Sequence, residues 1–136
     1  RRRQFAVVHA AVAVVMANIL VKLMIVLVFR PRPFADLDAN LLFYRPTDST
    51  LPSNPAAVAF AFAFAVSFHD RTWGLAMAGV AALFGLARIM AGVHYPLDVV
   101  AGALMGFAAA WLALRLPGLG LLARGVIRAG RRLMLA

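Results

Sequence analysis

The chain alternates long apolar runs with short polar connections, and the spacing within each run points to its structure. Between Phe5 and Phe29 the only strongly polar side chains are His9, Asn18 and Lys22. As an α-helix this run is about 37 Å long, more than the ~30 Å hydrocarbon core of a bilayer. Pro55 to Phe68 is shorter, roughly 20 Å as a helix, and crosses only if it starts below the membrane surface or is extended by its flanks. Its AFAFAFAV alternation has the period of a strand, but a lone strand leaves its backbone unsatisfied in lipid. Helical spacing puts Phe60, Phe64 and Phe68 on one face and Ala57, Ala61 and Ala65 in a small-residue seam on another. A third run extends from Trp73 to about Val93 and carries Arg88. A fourth, from Pro96 to Leu116, has Gly102 and Gly106 spaced for close helix contact. The pattern predicts an all-α integral membrane helix bundle with four transmembrane helices.

Composition agrees. The chain is 64% hydrophobic and 14% charged, with a mean hydropathy of +0.88, whereas soluble domains carry about a quarter charged residues. The net charge of +9 does not point to nucleic acid, because the basic residues sit between apolar runs, where they set topology. With Arg1, Arg2 and Arg3 cytoplasmic, four crossings put Arg71, Arg115, Arg124, Arg128, Arg131 and Arg132 on the same side. Arg30, Arg32, Arg45 and Arg88 fall on the other side, near Asp36, Asp38, Asp48 and Asp98. Residues 1–116 are expected to form the transmembrane domain and residues 117–136 a basic cytoplasmic tail. That tail is either an interfacial helix on anionic lipid or a frayed basic end. With no cysteine, disulfides and thiolate metal sites are excluded. The chain starts at Arg1 rather than Met and has no cleavable signal pattern, so a fragment lacking an N-terminal part is expected.

This topology gathers three motifs at the outer helix ends: RPRPF at Arg30 to Phe34, LPSNP at Leu51 to Pro55, and ARIMAGVHYPLD at Ala87 to Asp98. Pro96 suits a first helical turn, which places Asp98 where its carboxylate can reach back toward His94. An imidazole oriented by a carboxylate has one basic or nucleophilic nitrogen. The plainer alternative is that Asp98 complements the helix dipole and His94 is an interfacial polar residue. Arg88 is costly near the end of an apolar span unless it snorkels or has a partner. Arg30 and Arg32 add cations in a long loop, and several guanidinium donors beside a helix N-terminus suit phosphate. In LPSNP, Ser53 and Asn54 are cap candidates and Pro55 a first-turn residue. The same N-terminus can also serve an anion.

The pattern R-x5-H-x3-D at Arg88, His94 and Asp98, preceded by Pro52-Ser53 and Arg32-Pro33, resembles the type-2 phosphatidic acid phosphatase superfamily. GVHYPLDVVAGAL looks most like its bacterial undecaprenyl-diphosphatase branch, and the resemblance covers roughly Phe5 to Trp111. It implies six transmembrane helices, two of them absent from this chain, and hydrolysis of a lipid phosphate through a phosphohistidine with no metal or cofactor. By position, His94 would attack phosphorus and Asp98 would orient it, while Arg32, Ser53 and Arg88 hold the phosphoryl group, with Asn54 and Lys22 as further phosphate-binding candidates. The implied partners are a polyprenyl diphosphate or other lipid phosphate and the membrane lipids, at the extracytoplasmic face of the plasma membrane. Oligomeric state is open.

Three positions depart from the pattern. The first-motif lysine is Ile25, with Lys22 one turn deeper; the third motif starts with Ala87 rather than serine; and the second-motif histidine, the general acid, is Pro55. His9 and His69 are expected across the membrane from His94. Tyr44, Tyr95, Asp36 and Asp48 are on the correct side without a predicted position. Three readings follow: a diphosphatase whose leaving group needs no proton, a lipid-phosphate-binding protein that has lost turnover, and a purely structural bundle.

Overall fold

The computed structural model describes the backbone of residues 2–36 and 46–134, and side chains from Gln4 to Ala35 and from Pro46 to Gly130. Asp38, Tyr44 and Arg45 lie outside the described residues, as do the side chains of Arg1 to Arg3, Asp36, Arg131 and Arg132. The described residues are helical, with no strand: α1 Arg2–Leu27, α2 Pro33–Asp36, α3 Asn54–Ser67, α4 Arg71–Met90, α5 Pro96–Arg115 and α6 Leu119–Met134. Three of these, α1 from Gln4 and all of α4 and α5, are long and apolar enough to cross a membrane, and α3 is a shorter apolar helix. The protein is a multi-pass membrane protein. Its many exposed large apolar side chains, among them Val26, Leu83 and Leu104, are stable because lipid, not water, covers them.

The centre of the bundle is α3, packed against α1, α4 and α5. Its alanine seam explains this position. Ala57, Ala61 and Ala65 are fully buried, and Gly102 and Gly106 of α5 lie directly against the first two. A Cβ on Gly102 would come within 2.5 Å of the Ser53 carbonyl oxygen, and one on Gly106 within 2.5 Å of that of Ala57. Between apolar helices in lipid, such backbone approach supplies the packing attraction that the hydrophobic effect cannot. Ala13 and Ala17 of α1 close the same core.

Lengths differ along this bundle, and the difference shapes one end. Asn18 of α1 bonds Asn54 at the start of α3, while α1 continues to Leu27, so α3 begins about 13 Å inside the C-terminal end of α1. At the opposite end, Leu119 and Ala123 of α6 pack on Val8, and Phe5 meets the His69 ring at 5.4 Å. The structure thus brings the N-terminus of α1, the α3–α4 turn and α6 together at one end, and Arg30, Arg32, Asp48, Arg88, His94 and Asp98 at the other.

Candidate active site

Helix α4 stops at Met90, three residues before the apolar run does, for a local reason. Gly92 has φ +73°. Its N–H bonds the Ile89 carbonyl at 3.0 Å, and the Val93 N–H bonds that of Arg88 at 3.4 Å, the paired bonds of a Schellman motif. This turn drives Val93 and His94 inward, to 1% and 3% exposure. Tyr95 then caps α5, Pro96 occupies its first turn, and the Asp98 carboxylate reaches back to accept the Tyr95 N–H at 2.8 Å.

Asp98 is fully buried and saturated with donors. Its Oδ1 accepts from Arg30 at 2.9 Å, and its Oδ2 accepts from the Thr50 hydroxyl at 2.6 Å as well as from Tyr95. His94 Nδ1 stands 3.9 Å from Oδ2, beyond a direct hydrogen bond. Its nearer neighbour is Thr50, whose carbonyl and hydroxyl oxygens are both 3.1 Å from Nδ1. A carbonyl only accepts, so Nδ1 carries the proton and Nε2 keeps its lone pair. Asp98 therefore orients the imidazole largely through Thr50, while Arg30, lying 4.2 Å over the Tyr95 ring, anchors the carboxylate. Neither Thr50 nor Arg30 carried a predicted role of this kind. The signal available was only their place beside motifs, Thr50 two residues before Pro52 and Arg30 two before Arg32.

Electrostatics favour the neutral ring. Burial first, then the positive charges of Arg32 and Arg88, push the His94 imidazole from 6.5 down to about 4, against opposing contributions from the Thr50 carbonyl and Asp98. At neutral pH the Nε2 lone pair is available.

A cavity of about 450 Å³ lies at this end, lined by Arg32, Asp48, Asn54, Pro55, Arg88 and His94 among others. Four buried side-chain polar atoms make no hydrogen bond within the described residues: Ser53 Oγ, Asn54 Oδ1, Arg88 Nε and His94 Nε2. All belong to the predicted set, and three of their residues line the cavity. Buried polar atoms are normally satisfied, so a cluster of exceptions points to function. Ser53 stands at the N-cap of α3 without a side-chain cap bond. Arg32 is buried and uses three of its five N–H groups, donating to the Val93 carbonyl at 2.8 Å, the Asp48 carbonyl at 3.2 Å and the Asp48 carboxylate at 2.7 Å. Lys22 is different: its side chain is exposed on α1 and is not among the cavity-lining residues, whereas Ile25 is. Among the described residues no three His, Cys, Asp or Glu side chains gather as a metal site.

A recessed, cation-lined cavity with a neutral imidazole, built at one end of an all-α membrane bundle, defines a membrane protein suited to handling phosphoryl groups. Residues 6–119 match the PAP2 superfamily, and the chain belongs to it. It is 39% identical over 111 residues to the bacitracin transport permease protein BcrC of Bacillus licheniformis, covering 80% of this chain and 54% of that protein. It is 31% identical over 104 residues to the undecaprenyl-diphosphatase BcrC of Bacillus subtilis, covering 76% and 54%. The crystal structure of Aquifex aeolicus LpxE superposes with a TM-score of 0.73 at 34% identity, covering 82% of this chain and 68% of that one. The chain spans about half the length of these curated relatives.

Proposed function

We propose that the protein hydrolyses a polyprenyl diphosphate of the undecaprenyl type to the monophosphate, at the extracytoplasmic face of the plasma membrane, through a phosphohistidine on His94. The observation that carries this reading is the neutral, unpartnered Nε2 of His94 beside Arg88 in a cation-lined cavity. A relative named for undecaprenyl diphosphate hydrolysis supports the substrate class. In the first step the Nε2 lone pair attacks the terminal phosphorus. Guanidinium donors from Arg88 and Arg32, the Ser53 hydroxyl and the N-terminus of α3 hold the phosphoryl oxygens. The ring becomes cationic, and the Thr50 carbonyl and Asp98 stabilise it. Asn54 helps shape this pocket. Residues 1–116 form the catalytic membrane domain, and 117–136 a basic cytoplasmic tail whose helix lies on anionic lipid, with Arg124 and Arg128 exposed beside Leu121, Leu122 and Val126.

Pro55 lines the cavity at the position of the family's acid and cannot donate a proton. Substrate choice follows. The leaving group of a diphosphate is a phosphate monoester, whose second pKa is about 6 and which departs without protonation near neutral pH. An alkoxide leaving a simple monoester needs the proton. Phosphate release from purified protein should therefore be faster on polyprenyl diphosphate than on polyprenyl monophosphate, and equal or greater monoester activity would overturn the assignment. The same Pro55 favours a second reading, a lipid-phosphate-binding protein without turnover. That reading predicts one phosphohistidine per chain and no sustained release of product.

A further inference from the structure

We propose that Asp48 is the base that activates water when the phosphohistidine is hydrolysed, a role that rests on His94 being the nucleophile. The second half of the reaction needs a proton acceptor that the second motif, with Pro55, does not supply. Of the side chains lining the cavity, Arg32 and Arg88 are permanently cationic and the hydroxyls and amide are weak bases. His94 Nε2 is by then bonded to phosphorus. Among the described residues, Asp48 is the remaining titratable group on the cavity wall.

Its placement suits the task. The Asp48 side chain is 60% exposed, so it meets water at the cavity mouth. Its Oδ1 is 2.7 Å from one terminal nitrogen of Arg32, and the other terminal nitrogen bonds the carbonyl of Val93, the residue before His94. One guanidinium thus links the carboxylate to the backbone that carries the nucleophile. A carboxylate can accept a proton, and the Arg32 that holds this one is also the cation assigned to the phosphoryl oxygens. A water between the carboxylate and phosphorus gives its proton to Asp48 as its oxygen forms the new P–O bond. The N–P bond breaks, its electron pair returns to Nε2, and the products are HPO4²⁻, neutral His94 and a protonated Asp48 that releases its proton to bulk water. Sequence reasoning placed Asp48 on the correct side but gave it no position. The Arg32 contact supplies one.

Rapid-quench kinetics of the purified protein in lipid nanodiscs, with polyprenyl diphosphate labelled in its terminal phosphate, test this role. Asp48→Asn should release one equivalent of lipid monophosphate at close to the unsubstituted rate. Steady turnover should then slow by about 10² or more, the usual contribution of an acid or base, with acid-labile, base-stable label retained on the protein. Asp48→Glu should keep multiple turnover. A burst that slows in parallel with turnover would overturn the proposal, reducing Asp48 to a prop for Arg32, and so would Asp48→Asn turnover equal to that of the unsubstituted protein. Absence of label on the unsubstituted protein and on Asp48→Asn alike, with turnover intact, would instead remove the phosphohistidine reading and this role with it.

Discussion

Two buried histidines occupy opposite ends of the same bundle, and their ring nitrogens separate them. His9 of α1 is fully buried, with Nε2 donating to the Ala110 carbonyl at 2.9 Å. That fixes Nδ1 as an acceptor, which takes the His69 Nε2–H at 2.9 Å. Both nitrogens are used, and the ring ties α1, the α3–α4 turn and α5 together. His94 begins the same way, with Nδ1 donating to the Thr50 carbonyl, but among the described residues its second nitrogen has no partner. Arg32, Arg88 and the buried Asp98 carboxylate lie close to His94. The fold consumes both nitrogens of His9 and only one of His94, which is the difference the proposed chemistry rests on.

This contrast is broken most sharply by removing each ring in turn. His94→Ala should abolish turnover, by about 10⁴-fold or more as for other essential nucleophiles, without unfolding the protein. His9→Leu should leave turnover within a few-fold while lowering stability by about 1–3 kcal/mol, the cost of orphaning its polar partners; parallel activity and thermal-melting measurements separate the two. Next in size, Arg88→Met should weaken phosphate binding by roughly 1.5–3 kcal/mol, the range for hydrogen bonds to charged groups. Lys22→Met, altering an exposed side chain, should weaken it less, and the reverse order in a titration would make Lys22 the substitute for the lysine absent at Ile25.

Pro55→His should raise turnover at least about tenfold, more on monoesters than on diphosphates, toward what general acids supply. Unchanged rates on both substrates would leave LPSNP as a helix cap only. The smallest effect concerns pH. Because the folded-state value for His94 is depressed to about 4, the nucleophilic form persists above that value and is lost as pH falls through it. The acid limb of kcat/KM should therefore lie well below 6.5, and Arg88→Met, removing one of the two cations, should move it upward.

The sequence disclosed the helices because lipid leaves few alternatives for apolar runs, and HYPLD because proline and aspartate in a first turn have local consequences. It also disclosed the seam, since Ala57 and Ala61 meet Gly102 and Gly106 and Ala65 continues it in the core. What stayed hidden depends on which loop meets which. Thr50 interposes between His94 and Asp98 across more than forty positions of sequence, and no periodicity reports such a contact. Arg30 and Arg32 looked equivalent as neighbouring cations, yet one anchors Asp98 while the other joins Asp48 to the Val93 backbone. The end of α4 was placed three residues late because an apolar run does not reveal the left-handed turn at Gly92.

The short central helix has one more consequence. Because α3 starts about 13 Å inside the C-terminal end of α1, the proposed activity would place the reacting phosphorus of a lipid at the recessed start of α3. Under that activity inorganic phosphate would leave toward water while the lipid product stayed in the bilayer. Such vectorial separation would lower the chance that the two products meet again in the site.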